Sequence, residues 1–299
     1  MKKVDGDRID VALVRRLVGA QFPQWADLPV RPVAAGGWDN RTFHLGDTMS
    51  VRLPSAEHYV AQVEKEHEWL PRLAQQLPLP IPTPIGLGKP DPEFPAPWSI
   101  YGWIAGETAL PERIADLDTL ARDLAGFLKA LYRADAKGGP PAGAHNFYRG
   151  GSLGIYDRET RDAIAMLADS LDARLATTIW EAALSAEWHG PPVWVHGDVS
   201  APNLLVADGC LCAVIDFGSA GVGDYACDLT IAWTLLDASA RTIFKQAINA
   251  DFAFWARARG WALWKALITL ADTNAPEKAD AARHVLNAVF ADHFEAIAR

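Results

Sequence analysis

The chain has 299 residues, of which 50% are hydrophobic and 22% are charged. This composition excludes a disordered, collagen-like or membrane-embedded chain and predicts a globular protein of about two domains. The 37 acidic residues outnumber the 28 lysines and arginines, and the resulting net charge of -9 disfavours nucleic acid as a partner.

The cysteines and the hydrophobic runs bear on localisation. Three cysteines are too few and too scattered for a disulfide framework, which favours a reducing compartment. No run approaches about 18 uninterrupted apolar residues, and the acidic N-terminal stretch is unlike a signal peptide. We therefore expect a cytoplasmic protein without a membrane partner.

Residues 1–104 are expected to form a first domain that contains a small sheet. An apolar stripe over residues 7–22 predicts an amphipathic helix with Asp7 as its N-cap, and residues 56–77 predict a second helix. Strand-like runs bounded by turn residues lie at 31–35, 42–45, 49–53, 85–87 and 98–104. The first domain is therefore predicted to be an antiparallel sheet of about five strands with one long helix.

Residues 105–299 are expected to form a larger, mainly helical second domain. Helical periodicity covers residues 117–132 and most of the chain past Arg158. A β island at residues 193–217 interrupts this pattern with short apolar strands that alternate with turn residues. Because loops between such strands often carry functional groups, we expect the chemistry to lie there. The fold class is α+β.

Two structural predictions concern the β island and the segment that follows it. Asp224 is predicted to cap a helix that begins near Tyr225 rather than to take part in catalysis. Cys210 and Cys212 are one residue apart on a strand, so they share a face, and we expect both to be buried apolar filling.

The β island also holds polar residues that suit phosphoryl transfer. Its first loop reads His196-Gly197-Asp198-Val199-Ser200-Ala201-Pro202-Asn203, and its second loop begins at Asp216. Phosphoryl transfer needs a carboxylate that orients and deprotonates the attacking hydroxyl, and oxygen ligands that hold Mg²⁺ on the nucleotide. Asp198 suits the first role, and Asn203 and Asp216 suit the second.

The two loops resemble those of the aminoglycoside phosphotransferase family, small-molecule kinases with a protein-kinase-like two-lobed fold. The family's catalytic loop has the form His-Gly-Asp-x-x-x-x-Asn and is followed by Ile-Asp-Phe-Gly, found here at residues 215–218. The resemblance implies that Asp198 is the catalytic base, that Asn203 and Asp216 are the magnesium ligands, and that His196 props the loop. It implies ATP or GTP as co-substrate.

The resemblance also assigns the two domains. It implies a small N-terminal antiparallel sheet plus helix that binds the nucleotide, over residues 1–104. It implies a larger, mainly helical C-terminal lobe over residues 105–299 that carries the catalytic and acceptor-binding residues.

Further nucleotide contacts are implied on the predicted sheet. Gly36, Gly37 and Asn40 resemble the family's shortened nucleotide loop, although the residues alone predict a plain hairpin turn equally well. The strand that carries Tyr101 and Trp103 looks like the hinge, whose backbone would bind a purine. Both aromatic residues are also consistent with ordinary core positions.

Arg52 stands where kinases place a lysine that grips the α and β phosphates. An arginine keeps the positive charge but presents a planar fork, so its contacts with phosphate must differ in geometry. Glu66 fits best by resemblance as the helix glutamate that orients this cation, and Glu64 and Glu68 are alternatives.

The acceptor is predicted less specifically than the reaction. Aminoglycosides are polycations, yet residues 229–299 carry seven acids against eight lysines and arginines. Four acids of the helical region are candidate acceptor contacts: Asp157, Glu159, Asp162 and Asp237. Most of four C-terminal tryptophans are expected in the core, with one or two at an acceptor pocket: Trp233, Trp255, Trp261 and Trp264.

The leading interpretation is a kinase of a small hydroxylated molecule, either an aminoglycoside or related antibiotic, which would confer antibiotic resistance, or another metabolite. A hydrolase is an alternative in which His196, Asp198 and Asp216 bind a metal that activates water, but it leaves Asn203 without a role. A nucleotide-binding relative without transferase activity is a further alternative, which Arg52 keeps open.

Overall fold

A computed structural model of the chain describes residues 3–33, 37 and 39–297 and divides it into two compact units. The first unit comprises Met1–Gly106 and Cys212–Ser219, and the second comprises Glu107–Leu211 and Ala220–Arg299. Within the described ranges, no helix is both long enough and apolar enough to cross a membrane.

The first unit contains a five-stranded antiparallel sheet and two helices. Its elements are α1 (Val11–Gln21), β1 (Val30–Pro32), β2 (Asn40–Leu45), β3 (Met49–Pro54), α2 (Val60–Leu73), β4 (Pro84–Gly88) and β5 (Trp98–Gly102). The strands lie in the order β1-β2-β3-β5-β4, and every neighbouring pair is antiparallel. The predicted small antiparallel sheet is therefore confirmed.

The first helix begins later than predicted. Asp10, not Asp7, caps α1, because its Oδ1 accepts the N–H of Leu13 at 2.8 Å. Asp7 lies within a preceding 3₁₀ turn and donates its own N–H to Asp5. The expectation of Asp7 as the cap was wrong because both acids have the right chemistry, and only the path of the chain selects between them.

An apolar core under the sheet determines where β3 presents its polar side chain. Residues of α1, including Leu17, belong to the same buried cluster as Val51 and Leu53 of β3. Burial of a side chain of this size stabilises the fold by about 1.5–3 kcal/mol. Because side chains alternate along a strand, Val51 and Leu53 in the core place Arg52 on the opposite face.

The second unit is mainly helical, as predicted. Its strands are β6 (Glu107–Thr108), β7 (Val193–Val195), β8 (Leu204–Ala207), β9 (Cys210–Val214, which ends in the first unit) and β10 (Gly221–Gly223). Its helices are α3 (Leu117–Arg133), α4 (Asp157–Met166), α5 (Ala173–Ser185), α6 (Ile231–Thr234), α7 (Ala238–Ile248), α8 (Phe252–Ala271) and α9 (Ala279–Ile297). β6 pairs with β8 and β7 pairs with β10, both antiparallel.

The buried face of strand β9 is not the one that was predicted. Leu211 and Ala213 are buried, whereas Cys210 is exposed and Cys212 is partly exposed. The expectation of two buried cysteines is wrong, because alternation shows which residues share a face but not which face is covered.

The predicted cap after the β island is present. Asp224 accepts the N–H of Ala226 at 3.1 Å and caps a 3₁₀ helix, Tyr225–Thr230. Its carboxylate also accepts the Nε–H of Arg257 at 2.6 Å, so the cap is tied to α8 as well.

Two glycines of the second unit test its packing. A Cβ at Gly223 would lie 2.1 Å from the carbonyl oxygen of Gly150, whereas a Cβ at Gly126 on α3 would meet nothing within 4 Å. We expect Gly223→Ala to lower the free energy of unfolding by about 1–3 kcal/mol, and Gly126→Ala to raise it by roughly 0.5–1 kcal/mol. Urea denaturation measures both, and unchanged stability of Gly223→Ala would contradict the close approach.

Candidate active site

The loop between β7 and β8 carries Asp198, and a buried carboxylate holds the backbone that leads into it. Asp228 is 0% exposed and accepts the N–H groups of His196 at 3.0 Å and of Gly197 at 2.7 Å. Gly197 has a φ of 82°, in the left-handed region that favours glycine. The two hydrogen bonds and this backbone conformation set the direction in which the chain leaves β7.

The side chains of His196, Asp198 and Asn203 lie together on this loop. His196 is fully buried, and its Nδ1 accepts the N–H of Asp198 at 3.2 Å. The Nδ2 of Asn203 donates to the Asp198 carbonyl at 2.9 Å and to its Oδ2 at 3.0 Å. Asp198 itself is exposed to solvent. One carboxylate oxygen is therefore held by an amide, and the residue remains open to a ligand.

The sequence pattern predicts no role for Asp228. Burial raises the pKa of this carboxyl to about 6, while the charge of His196 and the N–H groups of Gly197 and His196 act to lower it. An acid inside the apolar stretch Ala226–Leu229 was the available signal, since a fully buried carboxylate needs hydrogen-bond donors or a charge partner.

Arg52 lies at the centre of a cluster of charges in the first unit. Its Nη1 is 3.8 Å from Glu66 Oε2, and its Nη2 is 3.7 Å from Asp216 Oδ1. The guanidinium also lies over the ring of Tyr101, 5.4 Å from the centroid, and the Tyr101 hydroxyl donates to Glu66 Oε2. Burial acts to lower the pKa of Arg52, but Glu66, Asp216 and other neighbours raise it overall.

Of the three helix glutamates weighed as partners of Arg52, Glu66 is the one that approaches it. Glu66 is 6% exposed, whereas Glu64 and Glu68 are exposed on the other side of α2. Glu68 pairs with Arg72 one turn later, at 3.8 Å.

The same cluster holds a third carboxylate and a second cation. Burial, followed by the charge of Asp216, raises the pKa of Asp39 to about 6. The Nζ of Lys65 donates to the carbonyl of Gly218 at 2.6 Å, and burial lowers the pKa of this ammonium to about 8. Three carboxylates and two cations thus share the region, so the negative charge is in excess. Neither Asp39 nor Lys65 was singled out from the sequence.

The loop that begins at Asp216 is tightly constrained. Asp216 has a φ of 66°, a conformation that costs a non-glycine residue about 1–3 kcal/mol and that occurs at functional sites as well as in turns. A Cβ at Gly218 would lie 3.1 Å from Asp39 Oδ2 and 3.0 Å from the Gln62 side chain. A glycine two residues after Asp216 therefore allows Asp39 to approach the loop backbone.

The remaining predicted nucleotide contacts lie at several places in the first unit. Asn40 is buried at the start of β2, Gly37 is exposed, and Gly36 lies outside the described residues. Trp103 is 38% exposed and packs its ring against His44. Its backbone N–H donates to the carbonyl of Thr48 at 2.8 Å. Of this set, Tyr101 joins the cluster around Arg52.

The predicted magnesium ligands belong to different units, and the chemistry of each fits the ion. The Nδ2 of Asn203 faces Asp198, so its amide oxygen is directed away from that carboxylate. The Asp216 side chain is 29% exposed and lies among excess carboxylates. Proteins commonly bind Mg²⁺ through one or two such oxygens together with phosphates and water. In the described part of the chain, no group of three or more His, Cys, Asp or Glu side chains could hold a metal.

A cavity of about 510 Å³ lies beside Asp198 within the second unit. All four C-terminal tryptophans are buried, as expected for most of them, and Trp261 and Trp264 also line this cavity.

The four acids predicted as candidate acceptor contacts do not line this cavity. Each acid has a partner in the second unit: Asp157 bonds to Arg161, Asp162 to Arg158, and Asp237 to the backbone of Ala240. Glu159 accepts the indole N–H of Trp264, which itself lines the cavity. Helix caps and surface ion pairs account for acids that the sequence pattern alone cannot distinguish from ligands.

The raised pKa of Asp228 predicts a specific dependence of stability on pH. Between about pH 4 and pH 6 the folded protein binds more protons at this carboxyl than the unfolded chain does, so the free energy of unfolding falls as pH rises. Above about pH 6 this contribution is constant. Asp228→Asn removes it while other groups titrate as before.

Denaturation of both proteins at pH 4.5, 6.0 and 7.5 measures the difference. We expect the free energy of unfolding of the wild type to fall relative to that of Asp228→Asn between pH 4.5 and pH 6.0 only. Asp162→Asn, at an exposed carboxylate, controls for the loss of one charge. Parallel curves for the wild type and Asp228→Asn would show that Asp228 has an ordinary pKa.

Comparison with known proteins identifies the family. Residues 30–267 match the model of the phosphotransferase enzyme family. An aminoglycoside 3'-phosphotransferase from Escherichia coli is 34% identical over 89 residues, which are 28% of this chain. The match spans only 33% of the length of that relative.

Solved structures share the fold at low identity. The GDP and kanamycin complex of APH(2")-IIia superposes with a TM-score of 0.70 at 18% identity, covering 95% of this chain and 99% of the other. The macrolide 2'-phosphotransferase MphH from Brachybacterium faecium, as the apoenzyme, gives 0.60 at 21% identity over 93% and 98% of the two chains. The predicted protein-kinase-like fold is confirmed. Because the family model matches most of its length, the chain belongs to the phosphotransferase enzyme family.

Proposed function

We propose that this protein transfers the γ-phosphoryl group of ATP or GTP to a hydroxyl of a small molecule. The observation that carries the proposal is the geometry of the catalytic loop, where Asp198 is held by His196 and Asn203 yet remains exposed. Similar structures support the reaction class, since one is a GDP and kanamycin complex and another is a macrolide phosphotransferase.

In this proposal Asp198 is the base. A carboxylate at hydrogen-bond distance from the acceptor hydroxyl orients it and takes up its proton as the bond to phosphorus forms. Asn203 binds one oxygen of the carboxylate, which restricts its rotation. His196 contributes from inside the core by accepting the Asp198 N–H, so it positions the loop and does not touch the substrate.

The first unit supplies the nucleotide contacts. Arg52 is held by Glu66 and by the face of Tyr101, and its fork can bind two phosphate oxygens at once. Gly36, Gly37, Asn40 and Trp103 complete the proposed nucleotide contacts.

Asp216 and Asn203 are the proposed magnesium ligands. When bound, Mg²⁺ neutralises phosphate charge and orients the triphosphate. The excess of carboxylates around Arg52 favours such a cation, because burial and then the charge of Asp216 already raise the pKa of Asp39. A cytoplasmic location is part of the proposal, since three free cysteines suit a reducing compartment that also supplies nucleoside triphosphates.

The direct test is turnover of Mg-ATP and Mg-GTP with a panel of hydroxylated antibiotics and metabolites that includes kanamycin and a macrolide. The proposal predicts nucleoside diphosphate release that depends on an acceptor, with a phosphomonoester signal in the ³¹P NMR spectrum. Inorganic phosphate released without an acceptor would favour the hydrolase. Nucleotide binding without turnover across the panel would favour a relative that only binds nucleotide.

Removing the proposed base should affect chemistry and not nucleotide binding. Asp198→Asn keeps the shape of the side chain but cannot take up the proton, so we expect kcat to fall by roughly 100-fold or more. Asp162→Asn serves as the control at an exposed carboxylate. Steady-state kinetics and nucleotide titrations measure both quantities, and full activity of Asp198→Asn would remove this residue from the role of base.

Removing the proposed metal ligand should affect nucleotide binding. Asp216→Ala is expected to weaken binding of the Mg-nucleotide, because it deletes one oxygen ligand and one of the carboxylates near Arg52. Binding of the same nucleotide in the presence of EDTA is the matched control and should change less. Equal effects with and without Mg²⁺ would contradict a role for Asp216 as a metal ligand.

A further inference from the structure

The cavity beside Asp198 is lined by more positive than negative side chains, which does not suit a polycationic ligand. Asp198 is the single carboxylate among its described lining residues. The cations that line it are Arg149, Lys265 and Lys278, and His284 also faces it. Its volume of about 510 Å³ lies within the range of ligand-binding pockets. A group of negative charge would therefore meet three cations and one carboxylate in this space.

Two tryptophans and a tyrosine hold one of the cations in place. The Arg149 guanidinium lies 4.8 Å from the ring centroid of Trp264 and 5.1 Å from that of Trp261. Tyr156 stacks on Trp264 with 3.9 Å between centroids, and the Trp264 indole N–H donates to Glu159 at 2.8 Å. A guanidinium ordered on aromatic rings binds an anion with less loss of side-chain entropy.

Lys265 lies on α8 next to Trp264 and carries its charge close to both Asp198 and Arg149. Burial and then the charge of Arg149 lower the pKa of its ammonium, while Asp198 acts to raise it. The Arg149 guanidinium and the Lys265 ammonium both lie against the ring of Trp264, 4.8 Å and 5.9 Å from its centroid, so the two like charges repel each other. In the described part of the chain neither forms an ion pair within 4.0 Å with a carboxylate. An anion placed between them would remove this repulsion.

Resting on the proposed function, we propose that the acceptor carries an anionic group, a carboxylate or a phosphate, in addition to the hydroxyl that is phosphorylated. Arg149 and Lys265 bind the anionic group, and apolar lining residues of the cavity such as Pro202 and Val285 contact the apolar part of the molecule. The hydroxyl then faces Asp198. Arg149 and Lys265 are thus specificity-determining residues, and an amine at the same position on the acceptor is disfavoured by their charge.

Three probes of nearly equal size test the preference for an anion: 4-(hydroxymethyl)benzoate, 1,4-benzenedimethanol and 4-(hydroxymethyl)benzylamine. Each carries a benzylic hydroxyl, and they differ in a carboxylate, a hydroxyl or an ammonium on the opposite side of the ring. Dissociation constants are measured by ligand-observed NMR titration at pH 7.5 without nucleotide. We expect the benzoate to bind about tenfold or more tightly than the amine, with the diol between them.

Variants locate the preference. Lys265→Gln should reduce the difference between benzoate and amine by about tenfold, whereas Lys265→Arg should retain it. Arg158→Gln removes one positive charge from an exposed position outside the cavity and should leave the preference unchanged. This control separates the local effect from the effect of net charge.

The phosphates of the nucleotide could also supply the anion that these cations bind. The affinity of the protein for the nucleotide distinguishes this source from an anion on the acceptor. If the anion belongs to the acceptor, Lys265→Gln changes benzoate binding and leaves the Kd for Mg-ATP and Mg-GTP unchanged. A weaker nucleotide affinity with an unchanged probe preference would show that Lys265 serves the nucleotide, which overturns the proposal.

Equal or tighter binding of the amine, a preference that Lys265→Gln does not alter, or no binding of the benzoate at 20 mM (about the weak limit for a single charged contact) would also overturn it. The probes are tested without nucleotide, so failure of phosphoryl transfer does not change these outcomes. Conversely, a protein that transfers phosphate but prefers the amine would retain the proposed function and lose the anionic acceptor.

Discussion

The carboxylate of Asp228 is the constraint on which the proposed catalytic loop depends. It satisfies two backbone N–H groups of His196 and Gly197 that are buried at the end of β7. A buried N–H without an acceptor costs about 1–3 kcal/mol, so the loop conformation and the ionised or hydrogen-bonded state of Asp228 stabilise each other. Asp198 follows directly, and His196 and Asn203 then fix its backbone and one carboxylate oxygen. The exposed position of Asp198, the proposed base, therefore depends on the buried carboxylate of Asp228.

In the first unit, charged side chains gather around Arg52. Core residues on either side of Arg52 place it on the open face of β3, where it meets Glu66, Tyr101 and Asp216. Burial and then the charge of Asp216 raise the pKa of Asp39 there, and Asp216 itself has a positive φ of 66°. Such an arrangement is costly for the protein alone, and under the proposed function a divalent cation with its phosphates would offset that cost.

Prediction from sequence succeeded where the determining contacts are local. The strands, the α+β class and the grouping of His196, Asp198 and Asn203 follow from alternation, turn residues and a spacing of five residues. It failed where partners are distant, because the acceptor of the Gly197 N–H is 31 residues away and the carbonyl bound by Lys65 is 153 residues away. The basic cavity was missed for the same reason, since Arg149 meets Trp261 and Trp264 only in the folded chain.

Hydrogen exchange at the amide of Gly197 tests the central claim most directly. If Asp228 holds this N–H inside the core, the amide exchanges only when the second unit unfolds, with a protection that matches the buried residues of α8. It loses this protection in Asp228→Ala, while the amides of α8 remain protected. Rapid exchange of Gly197 in the wild type, at the rate of an exposed loop, would show that the loop is not anchored by Asp228 and would contradict the account of how Asp198 is positioned.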